Sequence, residues 1–283
     1  MMVIDMTGVL IINKPKDYTS RDVINKLNKL LGTKKIGHTG TLDPLATGVL
    51  VIAIGSYTKL VNGLTSLDKE YIAEIKLGIK TDTGDITGNI LEDSNNNNIT
   101  KENIINIFNN FPKEYEQTVP KYSAVKINGK KLYEYARENI DIELPKRMVN
   151  IYSLELLEFN NDIIKFKTKV SKGTYIRSLI EDLCYKLNVI GTMNSLVRTK
   201  QGRFNIENAL NLEDININTR LLTSRDILDI KDYSLDDNLY KFVSNGNKLN
   251  INLSDGYYNM IYNNKDIAIY KFSYNEGRLV MFY

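Results

Sequence analysis

The chain has 283 residues, of which 42% are hydrophobic and 25% are charged, and its formal net charge is +3. A single cysteine excludes an internal disulfide, and no apolar stretch approaches the roughly 18 residues that a membrane-spanning helix needs. So small a net charge does not by itself argue for nucleic acid. We expect a cytoplasmic protein without a signal peptide, built from one large domain and a small one.

The first predicted elements are a strand near residues 3–12 and a helix over 21–31. Thr19 or Ser20 supplies an N-cap hydroxyl, and Gly32 is the residue type that ends many helices. Apolar residues recur between them at helical spacing. The pattern predicts a strand that leads into an amphipathic helix.

The next stretch, residues 37–50, reads GHTGTLDPLATGVL and has the features of a site. Asp43 precedes Pro44, which disfavours helical geometry, so its carboxylate is presented from a loop. The glycines of this stretch permit backbone angles that other residues resist. The apolar run over 49–54 predicts a buried strand that supports the loop.

Residues 70–79 alternate between apolar and polar, so that Tyr71 shares the core side of a predicted strand with the apolar residues. Thr100 predicts the start of a further helix. Two strands and another helix are predicted at 149–159, 163–171 and 175–187. Beyond about residue 225, short alternating segments separated by turns predict a small β domain.

Two lysine-rich stretches, 121–131 and 165–177, contain no acidic residue and carry Tyr122 and Tyr175. Cations for phosphates beside aromatic rings for bases are typical of RNA-binding surfaces. Solvated strand edges also carry lysine runs, so these stretches alone leave both interpretations open.

The stretch at 37–50 resembles the active-site motif of the TruB family, the tRNA pseudouridine-55 synthases. Four further segments are similar to family motifs in the same order. They are Lys14-Pro15 with Thr19-Ser20; Asp68 to Tyr71; Pro120 to Lys126 with Gly129, Tyr133 and Ala136-Arg137; and Ser171 to Leu179 together with Leu196 to Phe204. Five ordered motifs over roughly the first 210 residues coincide by chance far less often than one.

The resemblance implies an α+β fold with a mixed, largely antiparallel sheet flanked by helices. It implies a catalytic domain over residues 1–225, an RNA-binding insertion at about 112–147, and a small PUA-like RNA-binding domain over 226–283. The implied activity is isomerisation of uridine to pseudouridine at position 55 in the T-arm of tRNA, on a flipped-out base. We expect a monomer that binds the T-arm stem-loop.

The resemblance also assigns the site. The family's aspartate maps to Asp43, which attacks either the uracil ring or the sugar, and its active-site arginine maps to Arg177. A guanidinium paired with the carboxylate would keep it ionised in a water-poor pocket. Tyr71 would stack on the uracil and take part in proton transfer. The other implied substrate-binding residues are His38, which would fill the space left by the flipped base, Tyr175, Leu196 and Lys14.

Neither metal nor cofactor is expected. The chain has one histidine and one cysteine, too few for a zinc cluster, and it has no phosphate-binding Gly-x-x-x-x-Gly-Lys stretch. The acidic stretch at 81–88 lacks the terminal glutamate of a calcium loop and is predicted to be a structured turn.

Two alternatives stay open. One is an RNA-binding or tRNA-folding module in which isomerase activity is secondary. The other is an unrelated glycosidase that uses Asp43 with another acid, although no second carboxylate has a comparable setting. The chain departs from the family pattern at Asp17, Asn139 and Val197. Asp and Asn tolerate left-handed backbone, so the first two changes are expected to be neutral, whereas Val197 removes a phosphate contact.

Overall fold

The structure, a computed structural model, describes residues 6–94, 99–160 and 162–283. The chain divides into two compact units. The first comprises the residues up to Asp43, Leu50–Thr65 and Glu207–Tyr283, and the second comprises Pro44–Val49 and Ser66–Ile206. Within the described ranges, no helix combines the length and the apolar character needed to cross a membrane.

The elements, in chain order, confirm the predicted α+β class. The strands are β1 (Gly8–Lys14), β2 (Ile36–His38), β3 (Thr47–Ile54), β4 (Lys69–Leu77), β5 (Ile79–Thr81), β6 (Ile90–Asp93), β7 (Glu114–Thr118), β8 (Lys126–Ile127), β9 (Lys130–Lys131), β10 (Lys146–Asn160), β11 (Ile163–Val170), β12 (Gly191–Gln201), β13 (Phe204–Asn205), β14 (Leu210–Asn211), β15 (Ile230–Ser234), β16 (Leu249–Asn250), β17 (Gly256–Tyr262), β18 (Lys265–Ser273) and β19 (Glu276–Phe282). The helices are α1 (Ser20–Leu31), α2 (Val61–Thr65), α3 (Lys101–Asn109), α4 (Leu132–Arg137), α5 (Ile176–Leu187), α6 (Ser224–Ile227) and α7 (Asp237–Ser244), with 3₁₀ helices at Gly55–Leu60 and Ile206–Asn208. The strand predicted near residues 3–12 is β1, and residues 1–5 lie outside the described part.

Helix α1 begins and ends where the sequence predicts. Thr19 Oγ1 accepts from the Asp22 N–H at 3.0 Å, and the Asp22 carboxylate accepts from the Thr19 N–H at 2.9 Å. This reciprocal cap satisfies two amides of the first turn. Gly32 ends the helix at φ +64. The buried face of α1 shares a core with β1 and β3, formed by Leu10, Ile12, Val23, Ile24, Leu27, Leu50, Ile52 and Ile54.

In the first unit, β1 lies between β14 and β3, and β2 pairs with β3 in antiparallel. A separate five-stranded sheet forms the C-terminal part, in the order β15-β17-β18-β19-β16. Its core contains Val243 of α7 together with Met260, Tyr270 and Phe272. This sheet confirms the small β structure predicted after about residue 225, while the division at residue 225 stays a prediction.

In the second unit, the sheet has the order β3-β12-β4-β11-β10-β7, to which β3 contributes its first residues. The pair of β3 and β12 is parallel and the others are antiparallel, so the sheet is mixed and largely antiparallel as predicted. Strand β4 alternates as predicted, with Tyr71 and every second residue buried. Helix α3 packs on β10 and α5 packs on β12.

Candidate active site

The loop of residues 39–46 carries Asp43, which is half-buried and follows directly on an anchored residue. The Leu42 N–H donates to Ser20 Oγ at 2.9 Å, and the Ser20 hydroxyl lies 3.4 Å from the Leu42 carbonyl and donates to it. The Thr39 N–H donates to the Val51 carbonyl at 3.1 Å. The main chain is therefore tied to α1 and β3 on the near side of Asp43, which is how a site gains a defined direction.

His38 ends β2 and adjoins the same loop. Its Nδ1 accepts from the Gly40 N–H at 3.3 Å, so a neutral imidazole carries its proton on Nε2. Gly40 has φ +143. The hydrogen bond orients the ring beside the loop, and the role of His38 in filling the space of a flipped base stays a prediction.

Gly48 permits a close approach of two strands just after the loop. It has φ +98, and a Cβ built there would lie 2.3 Å from the Arg198 carbonyl oxygen. Arg198 is 1% exposed and its Nε donates to the Val49 carbonyl at 2.6 Å. Sequence reasoning did not single out Arg198, because the local pattern does not show that this arginine occupies a buried strand position.

One face of the second unit's sheet brings together Tyr71 and Leu196. Tyr71 lies opposite Arg198 on β12 and opposite Thr168 on β11, and Leu196 lies opposite Ala73 on β4. Directly opposed residues share a face, as do residues two apart on a strand. Tyr71, Leu196 and Arg198 are 7%, 6% and 1% exposed, so this face of the sheet is almost inaccessible to solvent.

Lys69 lies two residues before Tyr71 on the same buried face. Its Nζ donates to the Leu67 carbonyl at 2.7 Å. Burial, assisted by the charge of Arg198, lowers the pKa of Lys69 to about 8. Lys69 and Arg198 thus place two cationic side chains on the Tyr71 face. Positive charge of this kind favours the ionised form of a carboxylic acid that lies nearby.

The opposite face of β4 carries acids that neutralise part of the second lysine-rich stretch. Lys165 Nζ lies 3.6 Å from Glu74, and Lys167 Nζ lies 3.2 Å from Glu70. Burial by itself would raise the pKa of Glu70, but hydrogen bonds from Thr199 and Lys167 outweigh it and lower the pKa. Lys165 and Lys167 are therefore ion-paired away from the Tyr71 face.

Arg177 is the second residue of α5 and is 6% exposed. Its Nη1 donates to the Thr83 carbonyl and its Nη2 to the Tyr122 carbonyl, both at 2.9 Å. These groups line a cavity of about 1110 Å³ within the second unit. Asp43 belongs to the first unit, so the predicted pairing of Arg177 with Asp43 stays a prediction.

Tyr175 directly precedes α5, and its ring lies 5.4 Å from the Arg147 guanidinium. Its main chain is held by the side-chain amide of Gln117 on β7, whose Oε1 accepts from the Tyr175 N–H at 2.8 Å. Sequence reasoning missed Gln117, since a polar residue in a five-residue strand gives no local signal of a long-range contact.

Lys14 is fully buried at the end of β1. Its Nζ donates to the carbonyls of Pro15 at 2.8 Å and Tyr18 at 2.5 Å, which shapes the turn before α1. Its substrate-binding role stays a prediction. Asp17 in this turn has φ +66 and Asn139 has φ +53, which confirms that both departures from the family pattern occupy left-handed backbone.

The loop over 81–88 is a structured turn, as predicted. The Asp85 carboxylate is buried and its Oδ1 accepts from Thr83 Oγ1 at 3.0 Å, the Thr87 N–H at 3.0 Å and Thr87 Oγ1 at 2.5 Å. Over the residues that the structure describes, no group of three or more His, Cys, Asp or Glu side chains is arranged to hold a metal ion.

Comparison with known proteins decides the family. Residues 28–176 match the family described as TruB family pseudouridylate synthase (N terminal domain), and the tRNA pseudouridine synthase B of Francisella philomiragia is 42% identical over 289 residues, covering 98% of this chain and 94% of that protein. The chain belongs to the TruB family of pseudouridylate synthases. The tRNA pseudouridine synthase B of Clostridium tetani is 48% identical over 211 residues, covering 75% of this chain and 73% of that protein.

Solved structures show the same fold. An H/ACA RNP bound to a substrate RNA containing 2'-deoxyuridine matches with a TM-score of 0.66 and 23% identity, covering 95% of this chain and 79% of that chain. A Cbf5-Nop10-Gar1 complex matches with a TM-score of 0.67 and 24% identity, covering 93% of this chain and 78% of that chain. The TruB-family chain therefore has the pseudouridine synthase fold, with a C-terminal sheet consistent with a PUA-like domain.

Proposed function

We propose that the chain isomerises uridine to pseudouridine at position 55 in the T-arm of tRNA. The observation that carries the proposal is the 42% identity over 98% of this chain with a tRNA pseudouridine synthase B. The anchored loop around Asp43 supports it, because the reaction needs an acid of fixed direction beside the glycosidic bond. The insertion at about 112–147 and the PUA-like part over 226–283 would grip the RNA.

The reaction breaks the N1–C1′ bond of uridine and forms a C5–C1′ bond, while C5 loses a proton and N1 gains one. Atoms and electrons balance within the substrate, so no cofactor is required. In this proposal Asp43 acts as the nucleophile on a flipped-out base, and Arg177 is the active-site arginine. Tyr71 stacks on the uracil and takes part in the proton transfer at C5.

Flipping is needed because the glycosidic bond and the ring edge are inaccessible inside a folded RNA loop. In this proposal His38 occupies the space that the base leaves. The walls of the pocket and the RNA contacts come from Tyr175, Leu196 and Lys14. The enzyme acts as a monomer in the cytoplasm.

The test is incubation of the purified chain with an unmodified tRNA transcript, followed by mapping of pseudouridine. We expect conversion at position 55 and none in a transcript with cytidine there. Asp43→Asn should lower the rate by a factor on the order of 10⁴ or more, as when a nucleophile is removed. A wild-type chain that binds the transcript but converts no uridine would instead favour the RNA-binding module.

A further inference from the structure

Gln117 makes a two-point contact with the main chain of Tyr175. It is 1% exposed on β7. Its Oε1 accepts from the Tyr175 N–H at 2.8 Å, and its Nε2 donates to the Tyr175 carbonyl at 3.1 Å. One rigid amide plane thus holds both polar groups of a single residue, which restricts rotation and translation of the backbone together.

A second pair of residues fixes which way the Gln117 amide points. Its Nε2 also donates to the Tyr115 hydroxyl at 2.8 Å, and that hydroxyl donates to Asp182 Oδ2 at 2.8 Å. Burial and the Asp182 charge raise the pKa of Tyr115, so the hydroxyl stays protonated. Since the Tyr115 hydroxyl donates to Asp182, its oxygen accepts from the Gln117 nitrogen, and this amide orientation is the one that matches Tyr175.

Tyr175 is a position where such a support matters. It is the N-cap of α5 and no side-chain hydrogen bond caps the helix there. The chain leads from it directly to Arg177. One residue after Gln117, the Thr118 carbonyl accepts from Ser178 Oγ at 2.8 Å, a second tie between β7 and the first turn of α5. Strand β7 therefore sets where this helix starts.

We propose that Gln117 is a positioning residue of the isomerisation, acting through Tyr175. Its carboxamide holds the main chain of Tyr175 at the start of α5 so that the Tyr175 ring stands at the substrate uridine. The inference rests on the proposed function, in which the Tyr175 side chain serves the reacting nucleotide. Displacements of about 1 Å at such positions lower rates by up to about 100-fold.

The experiment compares Gln117→Met, which keeps the side-chain length and removes all three hydrogen bonds, with wild type in single-turnover assays on the tRNA transcript. The control is Asn110→Met, which also replaces a carboxamide with a thioether, on an exposed C-cap residue of α3 whose side chain bonds only to Asn106 among the residues that the structure describes. We expect Gln117→Met to lower the rate constant about 10- to 100-fold while the Kd for tRNA changes less than about twofold. In a Tyr175→Ala background the same change should lower the rate less than about threefold.

Tyr115→Phe is the second variant, because it keeps the edge-to-face contact with Phe111 while it removes the hydroxyl that orients Gln117. We expect a rate between those of wild type and Gln117→Met. If Gln117→Met fails to fold, this variant decides. A normal rate in either folded variant, a full additive loss in the Tyr175→Ala background, or a rate loss explained by weaker tRNA binding would overturn the positioning role. A wild-type chain that converts no uridine would overturn the proposed function instead, and this role with it.

Discussion

Two loops of the molecule carry an aspartate close to threonine and glycine residues and are held in different ways. In the Asp85 loop, residues 81–88, the Asp85 carboxylate itself holds the loop together, since its Oδ1 accepts three hydrogen bonds from Thr83 and Thr87. In the Asp43 loop, residues 39–46, hydrogen bonds of neighbouring main-chain groups anchor the chain, and the nearest of them in sequence joins Leu42 to Ser20.

The comparison distinguishes a carboxylate that stabilises its own loop from a carboxylate that its loop presents for a reaction. A buried carboxylate that accepts the amide and hydroxyl groups of its own loop contributes to stability, and its removal leaves those donors unsatisfied. A half-buried acid whose loop is also anchored through the main chain of adjacent residues should contribute less to stability. We therefore expect stability to depend on Asp85 and activity to depend on Asp43.

The largest effect on stability is expected at the glycine that follows the Asp43 loop. Gly48→Ala would place a Cβ 2.3 Å from the Arg198 carbonyl oxygen at φ +98, so both strain and overlap should lower the free energy of unfolding by about 3 kcal/mol or more. Gly129→Ala is the control, because Gly129 has φ +83 with no atom within 4 Å. Its cost should be about 1–2 kcal/mol. If urea unfolding shows that the two variants lose the same free energy of unfolding, the contact between Gly48 and Arg198 is not tight.

The next effect separates the two acids directly. Asp85→Ala should lower the free energy of unfolding by about 2 kcal/mol, because a buried acceptor of three hydrogen bonds is lost. Asp43→Ala should lower it less than Asp85→Ala does, because Asp43 is only half-buried. Urea unfolding at one pH measures both. A larger loss for Asp43→Ala than for Asp85→Ala would reverse the comparison.

The smallest effect is expected at the anchor of the Asp43 loop. Ser20→Ala removes the hydroxyl that bonds both main-chain groups of Leu42, and should cost about 1 kcal/mol of stability. Because Asp43 is the next residue, its direction should loosen, and the single-turnover rate should fall about tenfold. Unfolding and rate assays on the same preparation check this. An unchanged rate would mean that other contacts hold the loop.

Local signals predicted a large part of the fold. The cap at Thr19, the glycine at Gly32 and the alternation around Tyr71 depend on residues within a few positions of one another. Their elements formed where predicted for that reason. Asp17 and Asn139 were expected to be neutral departures because their side chains tolerate left-handed backbone, and both residues do have that backbone.

Long-range contacts gave no such signal. Arg198 is buried against the backbone of Val49, which lies 149 residues earlier, and Gln117 bonds a residue 58 positions later. The lysine-rich stretch at 165–177 contains no acidic residue, yet the pairing of β4 with β11 places Lys165 opposite Glu74 and Lys167, which lies opposite Ile72, within 3.2 Å of Glu70. Partners of this kind depend on strand order, which local patterns do not encode.

The residue order alone identified the family motifs, the loop that presents Asp43 and several of the helices and strands, since each follows from spacing or from neighbouring side chains. Tertiary structure decided which polar side chains became buried and hold distant backbone segments through hydrogen bonds. Arg198 and Gln117 acquired those roles because folding removes backbone carbonyls and amides from water, and each must then find a hydrogen-bonding partner wherever the chain returns.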